Sequence, residues 1–172
     1  LEDFIYFSGV SEKYFNKTVL TSSEFTEPTE MAILPNLDVL VAQRRGEILY
    51  YNALTKKLSL AGKLPVYHMA IDTNVNAEEG LLGITADPAF KSNHFVYVYY
   101  AAVDTPLNRL SRFAFVNNKI DSTSEKIILE FYSQREICCH TGGSLAFDRK
   151  GLLYLSTGDN TTPFNEPNQP YT

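Results

Sequence analysis

Leu82-Gly83-Ile84-Thr85-Ala86-Asp87-Pro88 is the stretch whose reading decides the fold. An apolar run of strand length stops at an Asp-Pro turn signal. Phe95–Ala101 then follows, a run built almost wholly of β-branched and aromatic residues. The same plan recurs on either side. Met31-Ala32-Ile33-Leu34-Pro35 leads through a Pro35-Asn36 turn to Val39–Gln43. Ser144-Leu145-Ala146-Phe147-Asp148 leads through a turn ending at Gly151 to Leu152–Thr157. Ile48–Tyr51 and Leu58–Leu60 complete the first group, with Arg45-Gly46 as a turn. Leu110–Phe115 and Lys126–Phe131 complete the second, with Asn117-Asn118 between them. Four strands recurring about every 50 residues are the sequence sign of propeller blades. A β-sandwich is the alternative, because its strands also recur at short spacing.

The expected architecture is therefore all-β, a single β-propeller domain with blades at approximately 27–75, 76–135 and an incomplete 136–172. About two and a half blades cannot close a ring, and an open ring exposes long strand edges and half a core. The chain is accordingly read as a fragment of a longer propeller. Its Pro- and Asn-rich end, Pro163–Pro170, reads as the start of a loop. No capped helix is expected; the best short candidate is Glu12–Phe15.

Composition agrees with a packed domain. Of 172 residues 44% are apolar and 13% aromatic, ample for a core and unlike a disordered chain. A net charge of −5 and a pI near 5.2 give no footprint for nucleic acid or an anionic membrane. No apolar run approaches the roughly 18 residues of a spanning helix. The chain opens at Leu1 with neither Met nor signal peptide, which reads as a processed chain or an excised segment. Asn16-Lys17-Thr18 and Asn160-Thr161-Thr162 fit the N-glycosylation pattern, which matters only in a eukaryotic secretory setting.

Chemistry concentrates at Cys138-Cys139-His140, followed at once by Thr141-Gly142-Gly143-Ser144. A neutral imidazole can take a proton at physiological pH, and the small residues after His140 would leave room for a ligand. The plain alternative is a turn histidine bonded to backbone. Cys138 and Cys139 read as buried free thiols or as a vicinal disulfide, which neighbouring Cα atoms about 3.8 Å apart would strain. Spaced partners for a zinc site are absent. Glu78-Glu79-Gly80 places two carboxylates before a buried strand, either as a solvated acidic turn or as a hydrogen-bonding site for a polar substrate. Arg44-Arg45 reads as a hairpin-turn surface pair, without a Gly-rich cradle for an anion. His68 and His94 read as loop or strand-edge residues.

Taken together, Glu79–Gly83 with Asp87–Phe90, Leu110–Phe113, His140–Phe147 and Leu153–Asn160 resemble the soluble glucose/sorbosone dehydrogenase family, over roughly Glu27 to Asn160 and in the right order. That resemblance implies a six-bladed β-propeller whose enzymatic members use pyrroloquinoline quinone (PQQ) and calcium. It implies His140 as the general base that takes the proton of a sugar or polyol hydroxyl while hydride passes to the quinone. It assigns Glu78, at the position of a substrate-binding glutamine, and Cys139, at the position of an acid that orients the base, to the substrate side. A vicinal disulfide packs on PQQ in unrelated alcohol-oxidising quinoproteins, and Cys138-Cys139 is a candidate for that contact. The residues holding PQQ and Ca²⁺ are expected beyond Thr172, so the remainder of the propeller is required and the segment alone should be inactive. The Gln134–His140 version resembles a bacterial, exported branch, which implies a periplasmic or extracellular location and a cytochrome or quinone as electron acceptor. Two other readings stand beside this one. One is a non-catalytic carbohydrate- or protein-binding propeller module of a secreted protein. The other is a Ca²⁺-dependent hydrolase drawing on Glu78, Asp159 and Asn160.

Overall fold

The computed structural model describes residues 18–23, 25–69, 78–135 and 140–159. Glu12–Phe15, Cys138, Cys139, Asn160, both glycosylation asparagines and Pro163–Pro170 lie outside the described residues. Ten strands and one helical turn make up the described part. They are β1 (Pro28–Ile33), β2 (Val39–Gln43), β3 (Glu47–Asn52), β4 (Lys57–Lys63), β5 (Leu81–Ala86), α1 (Phe90–Asn93), β6 (Phe95–Ala101), β7 (Leu107–Val116), β8 (Lys119–Tyr132), β9 (Gly143–Phe147) and β10 (Leu153–Thr157). Each sheet is an antiparallel meander. The orders are β1-β2-β3-β4 and β5-β6-β7-β8, with β9-β10 opening a third. The first strands of the sheets lie side by side, β1 against β5 and β5 against β9, and the fourth strands β4 and β8 also touch. This is the face-to-face blade packing of a β-propeller.

Alternation along β6 shows why its sequence is nearly continuous in apolar residues. Val96, Val98 and Tyr100 face the first sheet, in a core with Leu40, Ile48, Tyr50, Ile84 and Phe113. Tyr97 and Tyr99 face the third, with Leu82, Leu110, Phe131 and Leu145. A strand's side chains alternate between its two faces, and the middle blade is covered on both. Strand β8 closes the second sheet and is mostly exposed, so its reading as a strand rests on pairing with β7 rather than on an apolar pattern.

The meander gives the blades two ends. Gln43–Glu47, the residues before β5 and β9, and those after β6 and β10 share one end. The β1–β2, β3–β4, β5–β6, β7–β8 and β9–β10 connections share the other. Asn117 (φ 51°) and Asn118 (φ 61°) both sit in the left-handed region and form the two-residue turn the sequence suggested. One helical turn was not expected. Asp87 Oδ1 accepts the Ala89 N–H at 2.8 Å, Ser92 Oγ donates back to the Ala89 carbonyl at 2.8 Å, and His94 (φ 53°) ends it. A four-residue element carries no 3.6-residue periodicity, which is why pattern reading passes over it.

Candidate active site

At the first of these ends Arg44 leaves β2. Its Nε and Nη2 donate to Glu27 Oε1 at 3.1 and 2.7 Å, and its Nη1 donates to the carbonyls of His68 at 2.9 Å and Glu79 at 3.1 Å. The Arg44 carbonyl accepts the Leu81 N–H at 2.9 Å. The expectation of a surface arginine pair therefore holds only for Arg45, whose side chain is 51% exposed; that of Arg44 is 11% exposed. A planar fork of donors suits this convergence of acceptors, and it clasps the first sheet to the chain entering β5. Hydrogen bonds from Arg44 and Arg45 hold the Glu27 carboxyl below its ordinary range. Gly80 (φ 151°) is demanded here, since a Cβ would stand 2.1 Å from the Arg44 carbonyl oxygen.

The two glutamates before Gly80 differ. Glu78 is exposed, as a solvated acid would be. Glu79 is 4% exposed and its Oε2 has no hydrogen-bond partner, so the solvated-turn reading fails for it. Arg135 stacks 3.9 Å from the Tyr67 ring centre and donates to the carbonyls of Ala102 and Leu107.

His140 stands at the entry to β9 with φ 61°, a strained conformation for a residue with a side chain. Its Nδ1 lies 3.1 Å from Asp159 Oδ1, and each side chain is 38% exposed. An ionised carboxylate can only accept, so the arrangement asks Nδ1 to carry the proton and leaves Nε2 as the basic nitrogen. The hairpin register brings the pair together. Thr157 is paired with Gly143, so two residues further out Asp159 stands beside the histidine turn. Gly158 permits it, for a Cβ there would lie 1.7 Å from the His140 carbonyl oxygen.

The glycines after His140 do not leave the room expected of them. A Cβ on Gly143 would meet the Tyr99 ring at 2.3 Å, and one on Gly142 would stand 3.2 Å from the Gly158 nitrogen. They are small because a buried tyrosine and the partner strand already occupy that space. The residue the sequence reading undervalued is Asp159, named only as a possible metal ligand. Continuing the hairpin past Thr157 would have found it. Cys139, proposed beside His140, lies outside the described residues, and so does Asn160. His68 lies in the connection from β4 to β5 and His94 caps α1. Among the described residues no three His, Cys, Asp or Glu side chains converge on a point that could hold a metal ion.

Comparison with known proteins gives the site its context. An uncharacterized protein of Synechocystis sp. is 28% identical over 151 residues, 86% of this chain and 36% of the relative. A Thermus thermophilus oxidoreductase, described as a glucose dehydrogenase, superposes with a TM-score of 0.66 at 28% identity, over 78% of this chain and 38% of that one. The PQQ-bound aldose sugar dehydrogenase of Streptomyces coelicolor matches with a TM-score of 0.59 at 28% identity, over 84% of this chain and 42% of its own. The chain thus spans about two fifths of the length of these relatives. Residues 25–171 match the family model for glucose/sorbosone dehydrogenase, and with its blade-wise sheets and the histidine turn before β9 the chain belongs to that family.

Proposed function

We propose that this chain is the part of a PQQ-dependent sugar or polyol dehydrogenase that carries the general base. The observation that carries the reading is the His140–Asp159 contact, a base held by a carboxylate in a strained turn at one end of the blades. In the proposed reaction His140 Nε2 accepts the proton of the hydroxyl being oxidised, and Asp159 stabilises the resulting imidazolium and fixes the ring. Cys139 need not supply an orienting acid, because Asp159 takes that part. PQQ, when bound, supplies the two-electron acceptor for the hydride leaving the same carbon. Glu78, exposed before β5, is the proposed polar contact for a further sugar hydroxyl. The half-exposed dyad suits the proton-transfer side of such a cofactor. The cationic and calcium-binding positions are assigned to later blades of the full-length protein.

The test is a titration of the full-length apo-protein with PQQ and Ca²⁺, followed by dye reduction across aldoses and polyols. Sugar-dependent reduction should appear, and His140→Ala should lower turnover by roughly 10²–10⁴ while PQQ still binds. A folded protein that takes no PQQ would instead support the binding-module reading. Unchanged turnover in the alanine variant would remove His140 from the mechanism.

A further inference from the structure

The Glu30 carboxylate joins all three sheets. It projects from β1, and its Oε2 accepts the Ile84 N–H of β5 at 3.2 Å and the Leu145 N–H of β9 at 3.2 Å. Its Oε1 accepts the Ser144 hydroxyl of β9 at 2.6 Å. Beside it Thr29 Oγ1 donates to the Leu81 carbonyl at 2.9 Å. To reach β9 the side chain must cross β5, and it does so beside Gly83. A Cβ on Gly83 would stand 3.3 Å from Glu30 Oε2, 3.2 Å from Leu145 Cγ and 3.5 Å from Tyr99 Cβ. Gly83 thus keeps open the passage through which the first blade holds the third.

What is held matters. Ser144 and Leu145 lie four and five residues after His140, in the strand whose register sets His140 against Asp159. Three donors converge on two oxygens, so an ionised carboxylate suits the position. Around these bonds the stretch meets the second blade by packing, Gly143 on Tyr99 and Leu145 in the second core. Packing tolerates sliding along the strand more readily than directed hydrogen bonds do. We propose that Glu30, acting through Ser144 and Leu145 past Gly83, is a positioning residue for the His140 base. It fixes the height of β9 against the first two blades. The catalytic consequence rests on the dehydrogenase reading; the mechanical one does not.

The experiment uses the full-length protein with PQQ and Ca²⁺ and compares wild type, Glu30→Ala, Glu30→Gln and Ser144→Ala. Turnover is counted per bound PQQ, so that loss of folded protein does not register. Amide hydrogen exchange is followed at Ile84 and over 140–145. Glu30→Ala should lower kcat by roughly 10–100-fold, since a misplacement near 1 Å costs about that much. Sugar KM should stay within about twofold, and protection over 140–145 should fall by at least about tenfold. Glu30→Gln keeps the volume and one acceptor and should lie between the two. It serves as the test if the alanine variant does not fold, and a kcat equal to wild type with unchanged exchange would then overturn the proposal. Ser144→Ala should show a smaller effect in the same direction. Lost protection with unchanged kcat in Glu30→Ala would reduce Glu30 to a structural tie, and unchanged protection would overturn the tie itself. Wild-type protein that binds PQQ but reduces no dye with any sugar would defeat the dehydrogenase reading alone, while exchange over 140–145 would still decide the tie.

Discussion

The two ends of the blades are built by different means. At the end away from His140 most turns close on their own side chains, Asp38 apart, which accepts from Tyr50 and Ala53 of the next hairpin. Asp87 Oδ1 accepts from Ala89, Asn52 Oδ1 from Thr55, Asn93 Oδ1 from Phe95, Asp121 Oδ1 from Thr123, and Asp148 Oδ1 from both Lys150 and Leu152, all within four residues. At the His140 end the contacts are long-range. Arg44 reaches Glu27, His68 and Glu79, and His140 meets Asp159 across a hairpin. Buried atoms without partners also gather there, among them Glu79 Oε2 and Arg135 Nε. A turn closed by its own Asx side chain orders few residues and is stiff. An end assembled from distant segments can hold incompletely satisfied groups, which often mark a functional role.

Three substitutions sharpen that contrast. The largest effect should come from Asp159→Asn in the full-length protein, on the proposed dehydrogenase activity. It keeps the shape but removes the charge that orients His140, and turnover should fall by up to about 10²-fold, near 2.7 kcal/mol, with little change in thermal midpoint. A full-activity variant would show that the histidine needs no partner and that this end is no more specialised than the other.

Next comes Asp38, 3% exposed at the opposite end. Burial pushes its pKa up, but hydrogen bonds from the Tyr50 hydroxyl, the Ala53 N–H and the Asn36 amide together hold it below its ordinary value. A folded-state pKa below the unfolded one contributes stability that is present above the unfolded value, about 3.9, and is lost as pH falls through the folded one. Asp38→Asn should cost about 1–2 kcal/mol at neutral pH and flatten the loss of stability below about pH 4. Denaturant midpoints measured from pH 3 to 7 would show both. An unaltered acid limb would mean that other carboxylates carry it.

The smallest effect belongs to the Asn117-Asn118 turn, where both residues are left-handed. Asn118→Gly should raise stability by about 0.5 kcal/mol without touching activity, because glycine accepts that conformation freely. A loss of stability would show that the Asn118 side chain has a role beyond the turn.

How much could be read beforehand follows the same division. The strands Val39–Gln43, Leu81–Ala86 and Phe95–Ala101 fall where the apolar runs end, and the Asn117-Asn118 and Arg45-Gly46 turns lie between paired strands. Strand β8 runs from Lys119 to Tyr132, well beyond the short apolar stretch that marked it, because an outer strand is defined by its partner's hydrogen bonds. His140 was visible as an ionisable residue in a glycine-rich turn. Asp159 needed only the hairpin carried past Thr157, but Glu30 and the buried state of Glu79 and Arg44 could not be read, since each depends on residues far away in the chain.

By itself, the sequence determined what is local and periodic: an all-β chain, blades of four strands, the turns between their strands, and an ionisable histidine before β9. Those follow from alternation and turn chemistry, which act over a few residues. Only the tertiary structure decided that Asp159 holds His140, that Gly143 and Gly158 serve close packing rather than ligand space, and that Glu30 crosses the second sheet to reach Ser144. Hydrogen bonds spanning up to 115 residues exist only once the blades are stacked, and no short window of sequence contains both partners.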